Sequence, residues 1–203
     1  MRVLAIAALA FWTGAAAAQP LDRPGAPPRA SNAEIGAATS APFGWVDFCQ
    51  RYDGECVGPT LARDLTMTKA AWRDLGRVNA TVNADIEALS DMDHWGKIEQ
   101  WDYPSDGKGD CEDLALLKRR MLAALGYPLE ALLLTVVKDK KGEGHAVLTV
   151  RSDHGDFVLD NLDDAVKPWK ATGYRFVKRQ SQSDPNTWVA IGAPTPAPAY
   201  VSR

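Results

Sequence analysis

Three residues of this sequence could serve as a nucleophile, a base and the acid that orients the base: Cys111, His145 and Asp160. Cys111 opens a stretch of helical periodicity and stands just before its apolar stripe, among Asp110, Glu112 and Asp113. Free N–H groups and partial positive charge at a helix start favour a thiolate over a thiol. His145 follows Gly144 at the start of a strand, and Asp160 closes the next one. With Ser152–Gly155 as the reversal, Arg151 pairs with Asp156, and Asp160 falls opposite Val147, on the face of His145 and two residues along. One residue of slip would turn the carboxylate to the other face. In the first register Asp160 orients the imidazole and stabilises its cation, while His145 takes the proton from Cys111. N–H groups at the start of the Cys111 helix are available to an oxyanion, with Trp101 as the candidate donor from elsewhere.

The carboxylates around the thiol are the second informative feature. Asp110 suits an N-cap and Asp113 the N3 position, which accounts for both without a ligand. Glu112 has no such account, and crowded negative charge disfavours a thiolate. A hard cation would relieve the conflict, and calcium, which takes about six to eight oxygen ligands, fits carboxylates in an exported protein. Asp110, Glu112 and Asp113 are its candidate ligands, with waters, backbone carbonyls or Asp102 and Asp106 completing the shell. No C-x-x-C or H-x-x-x-H spacing supports zinc. His94 is expected to cap or to pack on Trp95, and His154 to lie solvated in a turn. Asn79-Ala80-Thr81 matches a glycosylation sequon but falls within a helical pattern.

Met1–Ala18 reads as a secretory signal: Arg2, an apolar run too short to span a bilayer, then small residues at a cleavage site. Export to a periplasm follows, and it changes what cysteine means. Of the three cysteines, Cys49 and Cys56 lie close together with Gly54 between them to reverse the chain. They are the expected disulfide, stabilising by about 2–4 kcal/mol. Cys111 is left as the unpaired thiol.

These residues need elements to hold them. Trp72, Leu75, Val78, Val82, Ile86 and Leu89 recur at helical steps, predicting a helix from about Thr68 to Leu89. An irregular loop follows over Asp91–Gly109. A second helix runs from Cys111 to Leu125, with Leu114, Leu117, Met121 and Leu125 on its inner face and Gly126 and Pro128 ending it. Strands are predicted over Ala131–Lys138, His145–Arg151, Asp156–Asp160, Tyr174–Arg179 and Thr187–Ile191. Helices followed by an antiparallel meander make an α+β domain. Its expected limits are 41–192, with a flexible Pro/Ala-rich lead-in at 19–40 and a flexible tail at 193–203. The chain has 203 residues, 46% of them apolar, with 26 acidic against 23 basic side chains. Such a chain can bury a full core, and without a Lys/Arg block it has no dedicated surface for nucleic acid.

The run Gly109-Asp110-Cys111-Glu112-Asp113-Leu114-Ala115-Leu116-Leu117-Lys118 resembles the signature of the bacterial transglutaminase-like cysteine proteinases. Gly144-His145-Ala146-Val147-Leu148 and Gly155-Asp156-Phe157-Val158-Leu159-Asp160-Asn161 resemble it too. The likeness extends from about Pro42 to Ile191, taking in Trp45, Cys49, Cys56, Trp169, Gly173-Tyr174 and Trp188; the lead-in and tail fall outside the family pattern. The resemblance implies a papain-like core, with the nucleophile-bearing helix packed on an antiparallel sheet that carries the base and its acid. It assigns the triad to Cys111, His145 and Asp160, and a required calcium ion to Asp110, Glu112 and Asp113. Periplasmic members of the family cut a membrane-retained surface adhesin at a pair of alanines. A cyclic-di-GMP-sensing membrane receptor sequesters them. Two rival functions keep the fold: a transglutaminase, in which an amine resolves the acyl-enzyme, and a binding module without turnover.

Overall fold

The computed structural model describes residues 26–58, 60–192 and 195–201, so the expected signal at 1–18 lies outside the described residues. In chain order the elements are β1 (Ile35–Thr39), α1 (Phe43–Arg51), α2 (Lys69–Asp85), β2 (Glu87–Ala88), α3 (Asp91–Trp95), β3 (Lys108–Gly109) and α4 (Cys111–Ala124). Strands β4 (Leu132–Lys138), β5 (Gly144–Ser152), β6 (Gly155–Asp160), β7 (Asp163–Pro168), β8 (Arg175–Gln180) and β9 (Trp188–Ile191) follow. Seven strands form one sheet in the order β1-β9-β8-β4-β5-β6-β7, with every pairing antiparallel. The α+β class is as expected. The simple meander is not, because β8 returns to pair with β4 on the side away from β5.

Each helix starts and stops where local chemistry requires. The Thr68 side chain caps α2 by accepting the Ala71 N–H at 3.0 Å. The helix ends at Asp85, earlier than its apolar repeat suggests, because Glu87 and Ala88 leave to pair with Lys108 and Gly109. That short pairing fixes the chain just before α4. Gly126, at φ 89°, lets the chain turn away after α4. Leu114, Ala115, Leu116 and Leu122 of α4 are buried, whereas Leu125 is exposed. The inner face is therefore not the Leu114-Leu117-Met121-Leu125 row. Helix α4 lies between α2 and β5, so it is buried on two sides and even Lys118 and Arg119 are covered.

The described parts of two segments expected to be flexible are packed. β1 pairs with β9 from Ile35↔Ile191 to Thr39↔Trp188. Before it, the Ala30 N–H donates to the His154 carbonyl at 2.7 Å, and the Ala33 N–H to Asp156 Oδ2 at 2.9 Å. The same Asp156 oxygen pairs with Arg179 Nη1 at 2.8 Å, both side chains buried. Sheet edges are satisfied by backbone groups, and these Pro/Ala-rich residues supply them without any apolar pattern. In the tail, Val201 is 3% exposed and joins the main core. The Asn79 sequon is no acceptor in the fold: Asn79 is fully buried, and its carboxamide donates to the carbonyls of Asp163 and Asp164.

Candidate active site

Cys111 is the first residue of α4 and Asp110 its N-cap, but the Asp110 side chain makes no capping bond. It turns instead to the Asp91 N–H, 3.3 Å away. The free N–H groups of the first turn are thus left to act on whatever lies beside the thiol. The Cys111 side chain is buried; Sγ accepts the Ala146 N–H at 3.3 Å and donates to Glu112 Oε2 at 3.0 Å. This brings the helix start directly onto the residue that follows His145.

The β5–β6 register is the one that joins His145 to Asp160. Arg151 pairs with Asp156 and the ladder continues to Leu148↔Leu159. His145 Nε2 then meets Asp160 Oδ1 at 2.9 Å, both residues buried. Nδ1 makes no other hydrogen bond among the described residues and is the nitrogen available to the thiol. Burial opposes the imidazolium, but the Asp160 hydrogen bond and the interaction with Cys111 outweigh it, carrying the His145 pKa up to about 10.

Asp160 is held on every side. Oδ1 also accepts the Leu162 N–H at 3.0 Å, Oδ2 accepts the Tyr174 hydroxyl at 2.6 Å, and its carbonyl accepts Asn83 Nδ2 at 2.9 Å. Burial raises the carboxyl pKa, yet the bonds from His145, Tyr174 and Leu162 hold it below the usual range. Neither Tyr174 nor Asn83 was given a role at the site by the sequence. The signals for Tyr174 are its place at a strand start and in the Gly173-Tyr174 pair of the family likeness, and Asn83 lies unmarked on α2.

The acidic residues divide into two groups. Carboxylate oxygens of Asp91, Asp110 and Asp113 lie within 4.8 Å of one another, and ligand atoms of Asp110, Cys111 and Glu112 form a second set at the same spacing. Burial and the Asp110 charge push Asp91 up to about 6. Asp113 rises to about 9 through burial and the charges of Asp110 and Asp91. Glu112 is held well above the carboxylate range by burial first, then by Cys111, Asp110 and Glu99. Among the described residues, nothing donates a hydrogen bond to the buried Asp110 Oδ1 or Glu112 Oε1. Hard oxygen donors that are buried, mutually repelling and in part unpartnered suit a calcium ion.

Asp91, on the short helix α3, is thus a member that sequence spacing did not reveal. Asp102 and Asp106 do not complete the cluster. Asp102 binds Arg51 at 2.7 Å and the Tyr52 hydroxyl at 2.5 Å, and only its N–H reaches Asp113. Asp106 pairs with His94, which stacks on Trp95 as expected. Trp101 is not a free oxyanion donor, because its indole N–H is committed to Glu99 Oε1 at 2.6 Å. Cys49 and Cys56 form the expected disulfide, and Cys111 is the unpaired cysteine.

The family model of the bacterial transglutaminase-like cysteine proteinases matches residues 35–195, beginning at β1 rather than at Pro42. No curated protein matches the sequence significantly. Solved structures of LapG from Legionella pneumophila are similar. One is 25% identical, with a TM-score of 0.44, over 53% of this chain and 62% of its own length, so the chain spans less than two thirds of it. An EGTA-treated form is 25% identical, covers 59% and 70%, and has a TM-score of 0.49. A calcium-bound form is 22% identical over 75% of this chain and 92% of its own, with a TM-score of 0.51, which shows a shared fold.

Proposed function

The chain belongs to the bacterial transglutaminase-like cysteine proteinase family, and from that premise we propose that this cysteine peptidase is an exported, calcium-dependent endopeptidase with Cys111, His145 and Asp160 as its triad. The observation that carries the triad is the 2.9 Å contact of His145 Nε2 with Asp160 Oδ1, beside a thiol that accepts the N–H of Ala146. The Cys111 proton resides on His145 Nδ1 as Sγ attacks the scissile carbonyl carbon. The first-turn N–H groups of α4 stabilise the oxyanion. His145 returns the proton to the leaving amine, and a thioester remains on Cys111. Water, deprotonated by His145, attacks the thioester, releases the carboxylate product and restores the thiol. Asp160 stays ionised and holds the ring throughout.

Calcium, when bound, supplies positive charge that lets neighbouring carboxylates ionise together and steadies the start of α4. Asp91, Asp110 and Asp113 are the residues that would hold it, with Glu112 linking the cluster to the thiol. A calcium-bound LapG shares the fold, which supports this reading. Export is supported by the Cys49–Cys56 disulfide and by the signal-like run Met1–Ala18. Among the described residues, no helix is long and apolar enough to cross a membrane. The proposed substrate, a surface adhesin, and the proposed regulator, a cyclic-di-GMP-sensing membrane receptor, rest on the family resemblance.

The test uses purified protein with calcium, an unfolded protein substrate and a fluorescent amine, beside Cys111→Ala. Hydrolysis by the wild type alone is expected. Amine incorporation in place of hydrolysis would convert the reading to acyl transfer, and equal cleavage by Cys111→Ala would end it. Comparison of surface and shed proteins between a deletion strain and its parent identifies the substrate.

A further inference from the structure

Cys111 is 1% exposed and His145 0%, yet an endopeptidase must present both to a polypeptide. Residues 198–201 lie beside both, against Gly144 on one side and Glu99 on the other. The Tyr200 carbonyl lies against Gly144, the residue before His145. A Cβ at Gly144 would collide with that oxygen and come within 2.8 Å of Pro198 Cβ. Only a glycine allows so close an approach. One residue further, the Val201 N–H donates to Glu99 Oε2 at 2.8 Å, and the Val201 side chain enters the core. Glu99 adjoins the chemistry: its charge acts on Glu112, which accepts the Cys111 thiol. The segment therefore bridges the strand of the base and the acid that neighbours the nucleophile.

Residues 197–201 of this bridge themselves line a groove of about 650 Å³, together with Phe43, Ile98, Glu99, Val136 and Lys178. That volume is in the range of sites that bind ligands. We propose that this groove is the open part of the peptide-binding cleft of the protease and that residues 197–201, Ala-Pro-Ala-Tyr-Val, lie along it as a tethered, extended peptide that keeps substrate from Cys111. The inference rests on the peptidase reading and names the ligand class of its site. That class is an extended polypeptide with a carbonyl over Gly144, a main-chain N–H on Glu99 and a small or imino residue against the Gly144 wall. Tethering gives the segment an effective concentration of about millimolar, enough to compete with a substrate in solution.

The test measures the rate of Cys111 alkylation by iodoacetamide without reductant, in calcium, and hydrolysis of an unfolded protein alongside. A chain ending at Gly192 should be alkylated at least tenfold faster than the full chain, and a synthetic peptide of residues 195–203 should restore protection. Full-length Val201→Asp, which sets a second carboxylate beside Glu99, should behave like the truncation and decides the matter if the truncation does not fold. Alkylation at the full-chain rate in folded variants overturns the proposal, even where hydrolysis is present. Faster alkylation without hydrolysis upholds the cover and removes the peptidase reading instead.

Discussion

The Tyr174 hydroxyl donates to Asp160 Oδ2 at 2.6 Å, the carboxylate oxygen that His145 does not use. Its ring also stands edge-on to the imidazole, with centroids 5.6 Å apart. In the proposed triad Tyr174 is thus a positioning residue, acting on His145 through Asp160. Tyr174→Phe keeps the ring and removes only the hydroxyl. A hydrogen bond to a charged group contributes about 1.5–3 kcal/mol, and about 1.4 kcal/mol is tenfold in rate. The expected result is a fall in kcat of roughly ten- to a hundredfold, with KM little changed and the alkaline limb of the pH profile moved to lower pH. A variant with wild-type kcat and an unmoved limb would show that the hydroxyl only packs.

The alkaline limb has a definite place. His145, raised to about 10 by Asp160 and Cys111 against the effect of burial, stays protonated across neutral pH. In the proposed mechanism, proton donation to the leaving amine should therefore be lost only as pH rises through about 10, well above the ordinary histidine range near 6.5. The same shift makes a stability contribution that is complete below about 6.5 and lost as pH climbs to about 10. Asp160→Asn removes the anion, so the limb of kcat/KM should fall toward neutral pH and kcat should drop by about 10³–10⁴-fold. An unmoved limb would mean that Asp160 does not govern the imidazole.

The parts of the site that were legible in the sequence are those that follow from period and register. Cys111 could be placed at a helix start because the apolar steps begin after it. Asp160 could be placed beside His145 because Ser152–Gly155 fixes which residues oppose one another. Other contributions depend on the folded chain. Asp91 lies 19 residues before Asp110, in a stretch with no period, and only the β2–β3 pairing brings the two together. The row of leucines on α4 misled because the helix is covered from two sides, so that charged Lys118 and Arg119 share its buried surface. Lys118 shows the consequence: burial lowers its pKa to about 7, against the pull of Asp160. β1 and the 197–201 segment were read as loose because composition carries side-chain information, whereas their attachment is made largely by main-chain bonds.

Gly44 is a packing test near the proposed cleft. A Cβ there would enter the Trp101 ring, within 2.8 Å of Cγ and closer still to the pyrrole edge. Trp101 is fully buried, stands edge-on to Trp45 and Trp188, and holds Glu99 through its N–H. Alanine is better than glycine inside a helix by about 1 kcal/mol, but overpacking costs about 1–3 kcal/mol. Gly44→Ala should therefore give a net loss, lowering Tm by about 2–8 °C for a domain of this size. A Tm equal to or above that of the wild type would show that Trp101 yields freely.

The acidic cluster makes the remaining prediction. Asp91, Asp110 and Asp113 offer oxygens within 4.8 Å of one another, whereas Asp102 and Asp106 are bound to Arg51 and His94. An ion that binds only the folded chain stabilises it by about 2.7 kcal/mol at a hundred times its Kd. Calcium should therefore raise the wild-type Tm by several degrees, and chelation should reverse the shift and abolish hydrolysis. Asp91→Asn removes one anion of the trio without touching the thiol, so most of the calcium-induced shift should disappear. Asp106→Asn should keep the full shift, because its partner is His94. Glu112→Ala should reduce the shift less than Asp91→Asn, since Glu112 belongs to the set that includes Cys111 and not to the trio. Equal shifts in the wild type and Asp91→Asn would take the ion away from this cluster, and a larger loss in Glu112→Ala would move it toward the thiol.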